Sequence, residues 1–411
     1  MSRLSVQGVL RMGGSGRWTI VLVSTASEWG GGEDQALLLA RGLRDRGHRF
    51  VLLCRRGSPL GQHMAAEGFE VHGFAGRGRN PQAWWAIRRV LRRTRPDVLH
   101  ANDAHALWAG GLASLGLGIP LRVAARRVAF PLRFGLPYRV LVHVMVCVSE
   151  AAAHECQKAG VPTNRLRVVH DGVDPARVLS GDRRRGRLSV GALESDRVLL
   201  TVAKLTDCKG HRFLLEALPR VLSREPHALC VLAGDGELRG ELIALANQLG
   251  IGNRVRWLGF RRDVPDLIQA ADLFVLPSHT EGLCSTLIEA MVAGCPIAAT
   301  TAGGIAEVLG VPKDGSPATT AWLAPPRDAQ ALAQAILNAL EAPPAERAAR
   351  TANARRRAQQ LFTAQRMVSG TLAVYAEFLG NGPPEEGEPR PGVCSAPRLT
   401  NRTGHSGWPA T

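Results

Sequence analysis

Two glutamates, Glu281 and Glu289, are separated by seven residues in a segment that follows the apolar stretch LFVLPS. That stretch predicts a β-strand, which places Glu281 in a strand-to-helix loop and Glu289 about two turns into the helix, at about 3.6 residues per turn. Both carboxylates can therefore reach one elongated ligand at different points. The flanking Pro277-Ser278 and GCPIAATTAGG disfavour the alternative that Glu289 is only a solvated helix residue.

A glycine cluster, Gly30-Gly31-Gly32, lies between the first predicted strand and the first predicted helix. Its backbone N–H groups, together with the helix N-terminus, can hold an anion such as a phosphate. Such a cluster is also ordinary turn chemistry. Because it lacks the GxGxxG arrangement, an oxidoreductase that binds a dinucleotide is less favoured.

Apolar, β-branched stretches alternate with helical periodicity along most of the chain, which predicts parallel strands joined by helices. Strands are expected at 19–24, 50–54, 69–74, 97–101, 121–125, 144–148, 166–169, 198–203, 228–233, 254–258, 272–276 and 295–299. The predicted α/β organisation is an N-terminal extension (1–18), a Rossmann-like domain (19–178), a linker (179–195), a second Rossmann-like domain (196–345), carboxyl-terminal helices (346–380) and a disordered tail (381–411). Doubly wound sheets bind ligands at the carboxyl ends of their strands, so we expect the site in a central cleft between the domains.

The composition excludes several classes of protein. Of 411 residues, 45% are apolar and 21% charged, which is typical of globular chains and not of fibrous or largely disordered ones. No apolar stretch is long enough for a membrane span or a secretory signal, so a cytoplasmic protein is expected. The eight cysteines occur singly, which argues against a zinc site and a disulfide framework.

Positive charge is concentrated in the first half of the chain. The net charge is +16, and residues 1–180 carry 25 Lys+Arg against 12 Asp+Glu. Unless arginine-rich usage is general in the source, this asymmetry indicates a phosphorylated substrate, an anionic membrane surface or a nucleic acid as partner. A nucleic acid is least favoured and is not expected, because no zinc finger, RNP-type motif or basic heptad region accompanies the charge.

A series of motifs, taken in order, resembles the retaining glycosyltransferases with two Rossmann-like domains, the GT-B fold, and specifically glycosyltransferase family 4. In the second half they are AKLTDCKG (203–210), LAGDGELR (232–239), VRWLGFRRDV (255–264), ADLFVLPSHTEG (271–282), the Glu281/Glu289 pair and AGGIAEVL (302–309). The first half adds GGGE, an RGH that ends a helix, DVLHAND, VSEA and VVHDGVD. The resemblance covers about residues 19–380.

The resemblance implies which residues bind a nucleotide-diphosphate sugar. Lys204 and Lys209 match the Arg/Lys-x4-Lys pair that grips the donor diphosphate, with Lys204 in place of the commoner arginine. Glu289 matches the acid that binds the ribose hydroxyls, and Glu281 belongs to the loop that holds the donor sugar. The other implied donor-site residues are Gly31, Gly32, Gly234, Phe260, Arg261, Gly282, Leu283, Cys284 and Ser285.

The acceptor side is less sharply defined. Asp103 or His105, in DVLHANDAH, could touch the donor sugar or the acceptor hydroxyl, or both could simply cap the following helix. Arg126 and Arg127 follow a predicted strand and could bind phosphate on the acceptor. No Asp-x-Asp signature is present, so neither a metal nor another cofactor is expected. In the family, the departing phosphate is held to help deprotonate the acceptor.

The sequence thus predicts a retaining glycosyltransferase that moves a sugar from a nucleotide-diphosphate sugar to a lipopolysaccharide-core or other lipid-linked or cell-surface glycan. It would be cytoplasmic and peripheral on the anionic inner face of the membrane. The alternatives are another GT-B enzyme that uses a nucleotide sugar, such as an epimerase, a phosphorylase of that fold, and a basic membrane-binding module without catalysis.

Overall fold

The computed structural model describes residues 16–76, 78, 80–132 and 135–380. Within them the chain forms two parallel β-sheets, one of seven strands and one of six. Most of the predicted extension (1–15) and the predicted tail (381–411) lie outside the described residues.

The first domain contains strands β1 (Thr19–Ser24), β2 (Arg49–Arg55), β3 (Glu70–Phe74), β4 (Val98–Ala101), β5 (Leu121–Arg126), β6 (Val144–Cys147) and β7 (Leu166–Val168). Its helices are α1 (Gly31–Asp45), α2 (Pro59–Ala66), α3 (Pro81–Thr94), α4 (Ala104–Ser114), α5 (Leu136–Val140) and α6 (Glu150–Lys158). The strand order is β3-β2-β1-β4-β5-β6-β7. The chain therefore winds outward from β1 in both directions, and the gap between β1 and β4 is the switch point where such sheets bind ligands.

Two short helices lie next to and within the segment predicted as a linker (179–195): α7 (Pro175–Leu179) and α8 (Arg183–Ser189). Asp174 and Asp182 cap these helices by accepting hydrogen bonds from backbone N–H groups of their first turns. Arg185 forms an ion pair with Asp266 of the second domain. Caps and ion pairs thus hold these short helices in a stretch whose sequence shows little apolar periodicity.

The second domain contains strands β8 (Arg197–Val202), β9 (Ala228–Ala233), β10 (Val255–Gly259), β11 (Leu273–Leu276), β12 (Ile297–Thr300) and β13 (Trp322–Ala324). Its helices are α9 (His211–Arg224), α10 (Arg239–Gln248), α11 (Val264–Ala270), α12 (Ser285–Ala293), α13 (Gly304–Leu309) and α14 (Ala329–Glu341), with 3₁₀ turns at Asp207–Lys209 and Gly252–Arg254 and another, Thr163–Arg165, in the first domain. The order β10-β9-β8-β11-β12-β13 repeats the doubly wound pattern. Two doubly wound domains are therefore confirmed, and β13 is a strand that the sequence did not predict.

The chain ends with α15 (Pro344–Leu361) and α16 (Ala364–Leu379). After α15 it crosses back, and α16 packs against the first domain. The Tyr375 hydroxyl lies 2.6 Å from His100 Nδ1 in the buried core of that domain. The two segments in which the chain passes between the domains are hydrogen-bonded to each other. Val173 N donates to Phe362 O at 2.9 Å, and Ala364 N donates to Val173 O at 2.8 Å.

The sequence predicts neither a membrane span nor a disulfide framework. Across the described ranges, no helix is long and apolar enough to cross a membrane. The seven cysteines in those ranges are free thiols, six of them buried and Cys208 half-buried.

Candidate active site

The glycine cluster of the first domain faces the second domain across the cleft. A Cβ atom added to Gly31 would lie 3.5 Å from Ser285 Oγ, and one added to Gly30 would lie 4.0 Å from Lys204 Cε. Gly30, the N-cap residue of α1, provides no side chain to cap the helix. The structure therefore brings together the glycine amides, Lys204 and Ser285, the groups for which the sequence predicts contact with the donor.

Lys204 reaches across the cleft to Glu28, a residue for which the sequence predicts no role. Its Nζ lies 3.1 Å from Glu28 Oε2, in the loop after β1. Both side chains are more than half exposed, so this ion pair contributes little to stability. An anionic ligand can displace Glu28 from Lys204 at small cost.

Lys209 is held more firmly. Its Nζ donates a hydrogen bond to Glu281 Oε2 at 2.6 Å, and Ser278 Oγ donates to the same oxygen at 3.2 Å. Burial alone would lower the pKa of Lys209, but the Glu281 carboxylate outweighs it and the pKa is raised. Lys209 and Glu281, both predicted to contact the donor, thus form an ion pair between the loops that follow β8 and β11, with Glu281 buried and Lys209 partly buried.

Glu289 lies in the fifth position of α12, one turn from its start and not two, because α12 begins at Ser285. The carboxylate is buried and forms an ion pair with Arg177 of α7. Burial raises the pKa of Glu289, and the neighbouring Arg177 guanidinium opposes that shift. Arg177 also lies near Asp34 of α1. Burial raises the pKa of Asp34 and the Arg177 guanidinium opposes that shift, so Arg177 interacts with a carboxyl group of each domain.

The loop from Gly282 to Ser285 lies at the contact between the domains. A Cβ atom on Gly282 would lie only 2.3 Å from the backbone oxygen of Arg127 in the first domain, so a larger residue would push the domains apart. Leu283 and Cys284 are buried beside it. Burial raises the pKa of the Cys284 thiol, which is therefore uncharged.

Three residues expected at the donor site, Gly234, Phe260 and Arg261, follow the ends of β9 and β10. Gly234 has a φ of +148°, and a Cβ atom there would lie 1.9 Å from Ala203 O, so only glycine fits. Phe260 is 56% exposed and available to a ligand. Arg261 forms an ion pair with Asp263, which leaves its side chain turned towards α11.

Asp103 has a structural role. Its Oδ1 accepts hydrogen bonds from His105 N at 3.0 Å, Ala106 N at 2.8 Å and Thr25 Oγ1 at 2.7 Å, and its Oδ2 accepts from Thr25 N at 2.8 Å. The capping alternative is thus realised for Asp103. His105 lies half-buried in the first turn of α4. A contact of either side chain with a sugar stays a prediction.

Arg126 and Arg127 are both engaged within the first domain. Arg126 donates to the Phe130 carbonyl, and Arg127 forms an ion pair with Asp171 and a 3.4 Å hydrogen bond to Asn102 Oδ1. Burial raises the pKa of Asp171, and Arg127 opposes that shift. Binding of an acceptor phosphate by these arginines stays a prediction.

Glu33, in the first turn of α1, has a strongly raised pKa. Burial raises its pKa from 4.5 to about 7, although its own backbone N–H, Arg127 and Lys204 oppose the shift, and Asp103 adds to it. A Cβ atom on Gly30 would lie 3.3 Å from Glu33 Oε2. A titrating carboxyl therefore stands beside the predicted phosphate site.

No sequence pattern indicates the partners of Lys204, Glu289 and Arg127. Glu28, Arg177 and Asp171 reach their partners from positions 176, 112 and 44 residues away. Among the residues that the structure describes, no group of three or more His, Cys, Asp or Glu side chains could hold a metal ion.

Two family models match consecutive parts of the chain. Residues 29–177 match the one described as Glycosyltransferase Family 4, and residues 182–357 match Glycosyl transferases group 1. The break between them, residues 178–181, covers the end of α7 and the turn before α8.

Curated relatives and solved structures carry related names. The D-inositol 3-phosphate glycosyltransferase of Rhodococcus opacus is 30% identical over 74% of this chain and 69% of its own length. The lipopolysaccharide core biosynthesis glycosyltransferase LpsE of Rhizobium meliloti is 28% identical over 53% of this chain and 59% of its own. The chain spans about half the length of several of the relatives it matches. The crystal structure of Anabaena Alr3699/HepE with UDP and glucose superposes with a TM-score of 0.77 at 24% identity, covering 88% of this chain and all of the other, which confirms the predicted GT-B fold.

Proposed function

Because the chain belongs to the family 4 glycosyltransferases, we propose that it transfers a sugar from a nucleotide-diphosphate sugar to a glycan acceptor, with retention of the anomeric configuration. One observation carries the proposal. The glycine amides at the start of α1 meet Lys204 and Ser285 across the cleft, although the two groups belong to different domains. A diphosphate is the kind of ligand that such a cluster of amides and ammonium groups binds.

The cleft has the charges that this reaction needs. Breaking the bond between sugar and diphosphate leaves negative charge on the departing phosphate, which Lys204, Lys209 and the α1 amides stabilise electrostatically. The donor takes the place of Glu28 on Lys204. Glu281 stays with Lys209 and faces the sugar, while Glu289 accepts hydrogen bonds from the ribose. We infer that no divalent cation is needed, and transfer should then persist in EDTA.

For the acceptor we propose a lipopolysaccharide-core or other lipid-linked surface glycan, reached at the anionic inner face of the cytoplasmic membrane. The name of LpsE supports this class of acceptor, and the basic first half of the chain suits a phosphorylated or membrane-bound one.

The first test is thermal stability with UDP, GDP, ADP and dTDP sugars. A ligand at about 100 times its dissociation constant adds about 2.7 kcal/mol to the stability of the protein. One class of nucleotide sugar should raise the melting temperature, and the shift should be lost in E289A and kept in K158A. Lys158 is a suitable control because it pairs with Glu155 on its own helix.

Product analysis separates the proposal from its rivals. An acceptor-dependent product with the donor's anomeric configuration is expected. Conversion of the nucleotide sugar without acceptor would indicate an epimerase, and dependence on inorganic phosphate would indicate a phosphorylase. Vesicle binding without any nucleotide-sugar effect would indicate a membrane-binding module.

A further inference from the structure

A groove of about 620 Å³ lies at the far edge of the first sheet, between β3 and α3. Its volume is within the range of about 300–1,000 Å³ that is usual for small-molecule sites. It takes no part in the cleft described above. Arg56, at the end of β2, and Gln82, in the first turn of α3, mark the end that opens on the same side of the sheet as the cleft.

The charge of the groove is positive. Arg56, Arg89 and Arg93 line it together with His72, and none of its lining residues is acidic. Arg93 Nη2 lies 3.6 Å from Glu70 Oε1, and the same carboxylate also pairs with Arg49 and His72. Arg56 and Arg89 form no ion pair with any residue that the structure describes. Guanidinium groups without partners bind phosphate or carboxylate through paired hydrogen bonds.

An aromatic side chain forms part of the wall. Trp85 lines the groove and is 67% exposed, as is Leu193; among the large apolar side chains that the structure describes, Leu188 alone is more exposed. Its neighbour Trp84 is half-buried and its indole N–H donates to Gly78 O at 2.8 Å, so α3 is fixed while Trp85 projects. A flat indole face beside cations suits stacking against a sugar ring that carries an anionic group.

We propose that this groove binds an anionic segment of the acceptor, a phosphate- or carboxylate-bearing oligosaccharide, outside the reaction centre. The proposal rests on the proposed function, since it assigns a surface to the acceptor of that reaction. The strand order places β3 two strands from β1, about 10 Å at about 4.8 Å per strand, so a short oligosaccharide can extend from the cleft to the groove. A lipid surface fits less well because the lining residues, Arg56 and His72 among them, form a concave site, which a sugar chain can enter and a flat bilayer cannot.

The test measures binding by calorimetry, without catalysis. The probes are a heparin-derived sulfated pentasaccharide, uncharged maltopentaose, and vesicles of phosphatidylglycerol and phosphatidylcholine. We expect the pentasaccharide to bind, maltopentaose to bind at least tenfold more weakly, and R89E and W85A each to weaken pentasaccharide binding at least tenfold. R92E is the matched control, because Arg92 is exposed on the same helix and does not line the groove. It should change the affinity less than threefold.

Equal losses in R89E and R92E would show that net charge and not the groove binds the probe, and would overturn the proposal. Binding of vesicles with no binding of the pentasaccharide would overturn it in favour of a lipid surface. The shift in melting temperature with a nucleotide sugar is measured in the same variants. If that shift is absent in every protein while the pentasaccharide still binds, the proposed function fails and the groove remains a site for anionic glycans.

Discussion

The raised pKa of Glu33 predicts that donor binding depends on pH. Its pKa of about 7 lies above the ordinary value of 4.5, so the carboxyl is mostly protonated at pH 6 and mostly ionised at pH 8. The ionised form would repel a diphosphate at the neighbouring glycine amides. If only the protonated form admits the donor, its population falls from about 90% to about 10% over this range, and the dissociation constant rises about ninefold, or about 1.3 kcal/mol.

The assay is calorimetric titration with an intact nucleotide sugar at pH 6, 7 and 8. An intact nucleotide sugar is preferable to a free nucleoside diphosphate, whose terminal phosphate itself titrates near pH 6. E33Q keeps the size of the side chain and removes its charge, so it should bind with a nearly constant affinity equal to that of the wild type at pH 6. E28Q removes a carboxylate from the same side of the cleft and serves as the control.

Three results would refute this prediction: a wild-type affinity that is constant with pH, a slope that persists in E33Q, or a slope that disappears equally in E28Q.

The raised pKa of Glu33 also predicts how the stability of the protein depends on pH. A carboxyl whose folded-state pKa is raised favours the folded state at low pH, so the free energy of unfolding should fall as pH rises from about 4.5 to about 7. E33Q should lose that part of the decline.

Three further variants follow from buried contacts. K209A leaves the Glu281 carboxylate buried without its cation and should lower the free energy of unfolding by about 3–5 kcal/mol in urea titrations, with part of the loss regained in K209A/E281Q; an unchanged midpoint would contradict the buried pair. Y375F removes the hydroxyl beside His100 Nδ1 and should cost about 1–3 kcal/mol, measured in the same way; a change below about 0.5 kcal/mol would mean that the bond is replaced. G282A places a methyl group 2.3 Å from a carbonyl of the facing domain and should reduce transfer at least tenfold while melting cooperatively; wild-type activity would show that the domains need not approach so closely.

Much of the fold could be predicted because buried parallel strands are continuous apolar stretches. The stretch TIVLVS forms β1. The first four residues of LFVLPS form β11. β13 was missed because three residues, Trp322–Ala324, are too few to show a period. The helices α7 and α8 were missed because they are short and are held in part by caps and ion pairs, which an apolar pattern does not show.

The candidate site could be predicted in part for a similar reason. Residues that follow strands lie at the carboxyl edge of a sheet, so the positions of Lys204, Glu281 and the glycine cluster follow from strand prediction. What could not be predicted is which charges pair. Glu28 and Arg177 meet their partners through the arrangement of two domains, and no local pattern encodes a contact between residues more than 100 positions apart.

The return of α16 to the first domain has a consequence for biosynthesis. Helix α16 (Ala364–Leu379) supplies buried residues, Tyr375 among them, to the domain that leaves the ribosome first. At about 5–20 residues per second, roughly ten to forty seconds pass between emergence of that domain and of its last helix. During this interval the nascent domain presents the apolar surface that α16 later covers. The first domain is therefore begun before the second domain and completed after it, and in the interval its exposed apolar surface is what a chaperone would recognise.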